Sequence, residues 1–239
     1  MKVTILILAG GYGTRLQSVV ADVPKSLAPI RGRPFLFYLL DYVQEQRIGT
    51  KVILSLGYKA DSIVDRVGSS YKDLEIDYCI EANPLGTGGA IKNALDAHND
   101  FDHFLIMNGD TYTEINFHDF LRFHLEHKNG ITLASKSMST FDRYGSFTLG
   151  NDGCITGFNE KKYVDKGFIN CGSYLISHGF YQDHIEPVPF STFSFEKEIL
   201  EKKDRTFKIG AFISDFYFID IGIPQDYERA QKEFKKLES

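Results

Sequence analysis

Apolar residues recur along the first half of this chain in two alternating rhythms. Val3-Thr4-Ile5-Leu6-Ile7-Leu8-Ala9 is a short apolar run closed by Gly10-Gly11, the pattern of a strand buried on both faces. Pro34 to Val43 repeats its apolar residues at helical spacing, with Pro34 near the first helical position. Lys51 to Leu56 predicts a second buried strand, Lys59 to Val67 a helix, and Leu74 to Ile80 a third strand. A helix through Ala97, a fourth strand from Phe104 to Met107 and a helix from Phe117 to His127 follow. Strands alternating with helices predict βαβ units, hence a mainly parallel sheet with ligands at the carboxyl ends of its strands.

From Gly130 the texture changes to short strands, predicted over Ile131 to Lys136, Ser146 to Leu149, Cys154 to Phe158 and Phe168 to Ile176. Asn151-Asp152-Gly153 between two of them is a hairpin signal. A helix is predicted from Ser194 to about Lys203, then a strand from Tyr217 ending at Asp220, then an amphipathic helix to Leu237. No linker rich in Pro, Ser or charge separates the halves, so both are expected to share one sheet in a single domain over residues 1–239.

Composition narrows the function classes. Of the 239 residues, 43% are hydrophobic, enough for a sizeable core, and the formal net charge is −5. That charge argues against a nucleic-acid partner or an acidic membrane surface, so an anionic ligand must be held by local cations. Cys79, Cys154 and Cys171 form no C-x-x-C pair and are odd in number, which fits reduced thiols packed in a core. The first apolar run is far shorter than the roughly 20 residues that span a bilayer. A cytoplasmic protein without membrane insertion is expected.

The candidate chemistry lies in the turns. Gly10-Gly11-Tyr12-Gly13-Thr14-Arg15 is followed by Pro24-Lys25. Glycines let backbone N–H groups approach phosphates or a base edge, and Arg15 and Lys25 add positive charge. The loop is not a dinucleotide fingerprint, since Leu16 stands where its third glycine belongs, and no Walker A string occurs. Glu81 to Ala90 is a second glycine-rich turn at a helix N-terminus, which could serve an anion or a base. A turn with a helix cap at Thr87 would account for one or two of its three glycines. Asn108-Gly109-Asp110 presents a carboxylate at a strand's carboxyl end; an Asp there is often only a helix cap, but beside two phosphate-type loops it is well placed to hold Mg²⁺ against phosphates. His118, His124 and His127 share one helix, but a solvated face explains such residues better than a zinc site.

Leu8 to Leu16 reads L-A-G-G-x-G-T-R-L, and with Pro24-Lys25 it resembles the signature of the sugar nucleotidyltransferases, which join a nucleoside triphosphate to a sugar 1-phosphate. P-L-G-T-G-G, R-Y-G, F-x-E-K, I-N-x-G-x-Y and F-I-D-I-G-I-P extend the resemblance over essentially the whole chain in order. Within that family it is nearest to the D-glycero-D-manno-heptose 1-phosphate guanylyltransferases, which work in capsule or lipopolysaccharide assembly.

The resemblance implies a three-layer α/β/α sandwich around a mixed, mainly parallel Rossmann-like sheet of the GT-A kind. The nucleotide half would span about 1–115 and the sugar-phosphate half about 116–239. Leu8, Ala9, Gly10, Gly11, Gly13, Thr14, Arg15, Lys25, Glu81, Pro84, Gly86, Thr87, Asn108 and Gly109 would bind the nucleotide. Gly145, Glu160, Lys161, Asn170, Gly172 and Glu196 would bind the sugar phosphate, and Asp110 and Asp220 would carry Mg²⁺. Arg15, Lys25, Asp110 and Lys161 would act in catalysis. Glu81, an acceptor-only carboxylate, could take the two adjacent donors of guanine, which favours GTP. Ser26, where many relatives carry proline, and Cys171, where glycine is common, are expected to lie clear of the chemistry. A homo-oligomer is compatible with this reading. A pyrophosphorylase using UTP, dTTP or CTP, and a silent nucleotide-sugar-binding relative, stand as alternatives.

Overall fold

The computed structural model describes residues 1–159, 162–202, 204 and 206–237. Strand β1 (Val3–Leu8) is buried along almost its whole length because helices cover both its faces. The 3₁₀ turn Lys25–Leu27, the small hairpin β2 (Pro29–Ile30) with β3 (Arg33–Pro34), and helix α1 (Phe35–Gln46) follow. The chain then alternates as its rhythm predicts, through β4 (Lys51–Leu56), α2 (Ala60–Val67), β5 (Ser70–Tyr71), β6 (Leu74–Ile80), α3 (Gly86–Ala97) and β7 (His103–Asn108). A short strand β8 (Thr111–Thr113) precedes α4 (Phe117–Glu126), which Asn116 caps by accepting from the Asp119 N–H.

The second half is built from β9 (Ile131–Phe141), β10 (Ser146–Leu149), β11 (Ile155–Asn159) and β12 (Val164–Ser177). A helical turn α5 (His178–Phe180) runs on into a π-helical turn at Tyr181–Ile185, and a second π-helical turn covers Glu196–Leu200. Strands β13 (Ile209–Ile213) and β14 (Phe218–Asp220) and helix α6 (Pro224–Glu233) complete the order.

Ten strands form one sheet across both halves, in the order β11-β10-β12-β7-β1-β4-β6-β5, with β9 joined to β12 and β13 to β9. Strands β7, β1, β4 and β6 are parallel. Side chains alternate faces along a strand, and the two faces feed different layers. Val3, Ile5 and Ile7 pack with Phe35 and Leu39 of α1, Ile63 of α2, Phe117 of α4 and Ala230 of α6. Leu6, Ile53 and Ile106 pack instead with Ile91 and Leu95 of α3, Ile185 and Ile199. Helices therefore sandwich the sheet.

The structure departs from the sequence reading in several places, among them strands β5 and β8, which no local pattern announced, and His124, which is buried and not on a solvated face. Strands β9 and β12 are longer than expected because their outer ends pair with each other, as in Val164 with Phe141 and Lys166 with Ser139. Of this ribbon only Phe141, Met138 and Val164 pack against the core, and their spacing gives no strict alternation to read. Strand β13 was not expected, because Gly210 interrupts its short apolar run; it pairs parallel with β9. The helix expected from Ser194 to about Lys203 is the short turn Glu196–Leu200. All three cysteines are free, but Cys154 is only half-buried, whereas Cys79 and Cys171 are in the interior. Among the described residues, no helix is long and apolar enough to cross a membrane.

One packing detail gives a pH dependence. His124 of α4 is 1% exposed; its Nδ1 lies 2.7 Å from the Thr132 hydroxyl and its Nε2 has no partner among the described residues. Burial, and then the His103 ring at 5.1 Å between centroids, push its pKa down to about 3. The folded protein keeps this imidazole neutral, while the unfolded chain protonates it near pH 6.5. Its contribution to stability is therefore complete above about pH 6.5 and is lost as pH falls below that value. Urea unfolding at pH 7 and pH 5 should give a loss of about 2 kcal/mol attributable to this group. His124→Gln should lack that component; an identical pH dependence in the variant would contradict the assignment.

Candidate active site

The parallel strands β1, β4, β6 and β7 end side by side, so the turns that follow them meet at one edge of the sheet. There two cavities open, of about 310 Å³ and about 280 Å³, sharing Thr87 and Asn108 in their walls.

The first cavity lies over the ends of β1 and β4. The Ala9 N–H donates to Ser55 O, Tyr58 N–H to Gly10 O and Gly109 N–H to Leu8 O, which ties the glycine loop to its neighbours. The N–H groups of Gly11, Tyr12 and Thr14 have no backbone acceptor among the described residues. Gly13 has φ +61°, and a Cβ there would meet the Lys25 Cβ at 2.9 Å. Only glycine permits both that backbone and the approach of Lys25. Across the cavity, the Glu81 carboxylate accepts from the Ser55 hydroxyl at 3.1 Å and the Leu85 N–H at 3.0 Å. Two contacts fix its plane, and each oxygen keeps a lone pair.

The second glycine turn has a structural cause that the sequence reading missed. The Gly88 and Gly89 N–H groups at the start of α3 donate to the Phe193 carbonyl, so they are not open to a ligand. A Cβ on Gly88 would fall 2.2 Å from the Phe193 ring, and one on Gly89 2.2 Å from the Ser191 carbonyl oxygen. Close packing of the 191–193 segment therefore demands these glycines, where the sequence suggested an anion or base site. Gly89→Ala should cost about 1–3 kcal/mol, a fall of about 2–12 °C in Tm for a chain of this size. An unchanged Tm in thermal denaturation would contradict that packing.

Between the cavities lies a charged centre. The Lys25 ammonium makes a short ion pair with Asp110 and stands 3.8 Å from Asp220. A two-stranded pairing of β14 with β8, in which Asp220 sits opposite Thr111, brings the two carboxylates together. Asp110 also accepts from the Thr111 hydroxyl at 3.0 Å, and Asp220 from the Gly222 N–H at 2.7 Å. Burial opposes ionisation of both. At Asp110 the charge and hydrogen bond of Lys25 outweigh it and hold the carboxyl below the usual range. At Asp220 burial, with the negative charge of Asp110 added, raises it. Two carboxylates converging on one cation make a place suited to positive charge. Among the described residues no cluster of three or more His, Cys, Asp or Glu joins them.

The second cavity opens where β12 shifts register between Asn170 and Tyr174. In that bulge Gly172 has φ +71°, and its N–H donates to Asn170 Oδ1 at 3.0 Å. Asn170 in turn donates to the buried Tyr174 hydroxyl at 2.8 Å. Glu196 faces the same space with its Oε2 accepting from Thr87 at 2.7 Å and Ser194 at 2.9 Å.

Leu8, Ala9, Gly10, Gly11, Lys25, Glu81, Pro84, Gly86, Thr87, Asn108, Gly109 and Asp110 thus line the first cavity. Gly145, Asn170, Gly172, Glu196 and Asp220 line the second. Gly13 lies beside the first cavity, against Lys25, while Thr14 and Arg15 are exposed and line neither. Glu160 and Lys161 fall outside the described residues.

Two residues expected to lie clear of the chemistry border the cavities. Ser26 lines the first cavity, and its buried Oγ has no partner among the described residues. Cys171 belongs to the wall of the second. Ser55 was also missed; a lone hydroxyl inside the apolar run Val52 to Leu56 was its signal.

A family model for nucleotidyl transferases matches residues 4–236. The chain is 43% identical over 230 residues, 96% of its length and 97% of the relative's, to a D-glycero-alpha-D-manno-heptose 1-phosphate guanylyltransferase of Aneurinibacillus thermoaerophilus. It is 39% identical to an enzyme of the same name from Campylobacter jejuni, covering 93% of this chain and 96% of that one. The crystal structure of HddC from Yersinia pseudotuberculosis complexed with GMP-PN superposes with a TM-score of 0.84 at 39% identity, covering 98% of this chain and 100% of that one.

Proposed function

This chain belongs to the nucleotidyl transferase family, and from that premise we propose that it joins GTP to D-glycero-α-D-manno-heptose 1-phosphate, giving GDP-heptose and pyrophosphate in the cytoplasm. The observation that carries the reading is the pair of cavities meeting at Lys25, Asp110 and Asp220. The first draws its lining from residues up to Asp110, which suits a nucleotide half, and the second mainly from later residues, which suits a sugar-phosphate half. The whole-length identity to curated guanylyltransferases supports the choice of substrates.

In this reaction an oxygen of the sugar 1-phosphate attacks the α-phosphorus of GTP. One O–P bond forms, and the bond from that phosphorus to the oxygen bridging the α- and β-phosphates breaks as pyrophosphate leaves. Transfer of this kind needs alignment and charge neutralisation, not a protein nucleophile. The Gly11 to Thr14 amides and Lys25 receive the triphosphate, and Arg15, exposed on the same loop, is at hand to join them. Asp110 and Asp220 would hold Mg²⁺, since two carboxylates that converge on one cation offer the oxygen donors a hard divalent ion takes. When bound there, the ion would neutralise charge on the transferring phosphoryl group. Lys161 would hold the sugar phosphate, and Asn170, Gly172 and Glu196 its hydroxyls.

Incubation with GTP, Mg²⁺ and the heptose 1-phosphate should yield GDP-heptose and equimolar pyrophosphate, identified by mass spectrometry. No product from folded protein would overturn the reading. Glu81, held by Ser55 and Leu85, would accept the ring N–H and exocyclic amine of guanine. That bidentate contact should be worth about 1–3 kcal/mol of the preference for GTP over UTP. Glu81→Gln should narrow the GTP/UTP ratio in kcat/KM by that amount, and an unchanged ratio would remove Glu81 from base selection.

A further inference from the structure

The second cavity poses a charge problem. Its described lining carries the carboxylates Glu196 and Asp220 and, as a cation, Arg143. A sugar 1-phosphate brings about −1.5 to −2 more charge at pH 7. Lys161, assigned above to that phosphate, would offset part of this charge, and on the described wall Arg143 is the cation placed to offset more.

Arg143 stands in the turn between β9 and β10. Its Nη2 donates to the Asp226 carboxylate in a short ion pair and to the Tyr144 hydroxyl at 2.9 Å. The guanidinium lies 5.3 Å from the centroid of the Tyr144 ring. Asp226 is a buried carboxylate on α6, and its other oxygen is 3.1 Å from Arg229. A carboxylate so buried is costly unless paired. The pairing holds Arg143 through one nitrogen only. Its Nε and Nη1 make no hydrogen bond among the described residues; the side chain is 30% exposed and lines both the second cavity and a smaller pocket beside Phe141 and Arg229.

We propose that Arg143 is a further substrate-binding residue, which takes the phosphate of the sugar 1-phosphate with its remaining guanidinium donors, and that Asp226 is the residue that positions it. The planar fork offers a phosphate two parallel donors, which lysine cannot. The terminal helix thereby acts on the sugar side of the site without touching substrate. This inference rests on the function proposed above. A purely structural pair, joining the 142–145 turn to α6, would behave differently when broken: stability would fall and both substrates would be affected alike.

Arg143→Ala, Arg143→Lys, Asp226→Asn and the double variant Arg143→Ala/Asp226→Asn separate these cases by KM for each substrate, kcat and Tm. Arg143→Ala should raise KM for the sugar 1-phosphate at least about tenfold, as loss of charge-assisted hydrogen bonds implies, and move KM for GTP less than about twofold. Arg143→Lys should recover part of the loss, and it carries the test if the alanine variant fails to fold. Asp226→Asn should raise the same KM by a smaller factor, and the double variant should be no worse than Arg143→Ala alone. An unchanged KM for the sugar 1-phosphate, or equal shifts for both substrates, would overturn the proposal. Wild-type protein that turns over no sugar 1-phosphate would instead overturn the function on which it rests.

Discussion

Asp110→Asn is expected to lower kcat at least about a hundredfold at saturating substrates while the protein stays folded, because losing one anionic ligand removes several kcal/mol of charge stabilisation in the transition state. Asparagine keeps the shape of the side chain and its bond to Thr111, so the backbone pairing of β14 with β8 should survive. What it loses is the negative charge that faces Lys25 and stands beside Asp220. Pyrophosphate release, measured with thermal denaturation as a control, checks the outcome. Near-wild-type turnover at saturating Mg²⁺ would sink the metal assignment.

The second large effect is a division of labour between two lysines. Lys25 stands in the wall of the first cavity, is mostly buried, and is wedged between the two carboxylates. Lys25→Ala should lower kcat by about 10²–10³, or raise KM for GTP steeply, since it removes the preformed positive charge at the triphosphate. It also leaves two carboxylates without their cation, which deepens the loss. Lys161→Ala should instead raise KM for the sugar 1-phosphate and leave that for GTP nearly unchanged. If each substitution affects both substrates equally, the proposed assignment of one lysine to each phosphate is wrong.

Much of this was legible in the chain because its local signals agree with the global fold. The apolar run Val3 to Leu8 is buried on both faces, and its closing glycines do sit at a strand's carboxyl end. The helical spacing after Pro34 and the hairpin signal at Asp152-Gly153 likewise match what formed. The failures share a cause. Gly88 and Gly89 are dictated by Phe193 and Ser191, about a hundred residues away, and no local pattern reports a contact at that distance. The outer ends of β9 and β12 pair with each other and pack only Phe141, Met138 and Val164 against the core, too irregularly spaced to mark a strand. The place of Ser26 in the wall of the first cavity depends on the turn that carries Lys25, which no local pattern of the sequence reports. Arg143 belonged to a stretch already singled out, yet its partner Asp226 lies far along the chain, on the terminal helix.

The central claim, a guanylyl transfer to a heptose 1-phosphate, is tested most directly by kcat/KM for GTP, UTP, dTTP and CTP with D-glycero-α-D-manno-heptose 1-phosphate as the common acceptor. GTP should be used best, with UTP behind it by at least the part of the preference that Glu81 supplies, about 1–3 kcal/mol or roughly 5- to 150-fold. A pyrimidine triphosphate used as well as GTP, or better, would contradict it.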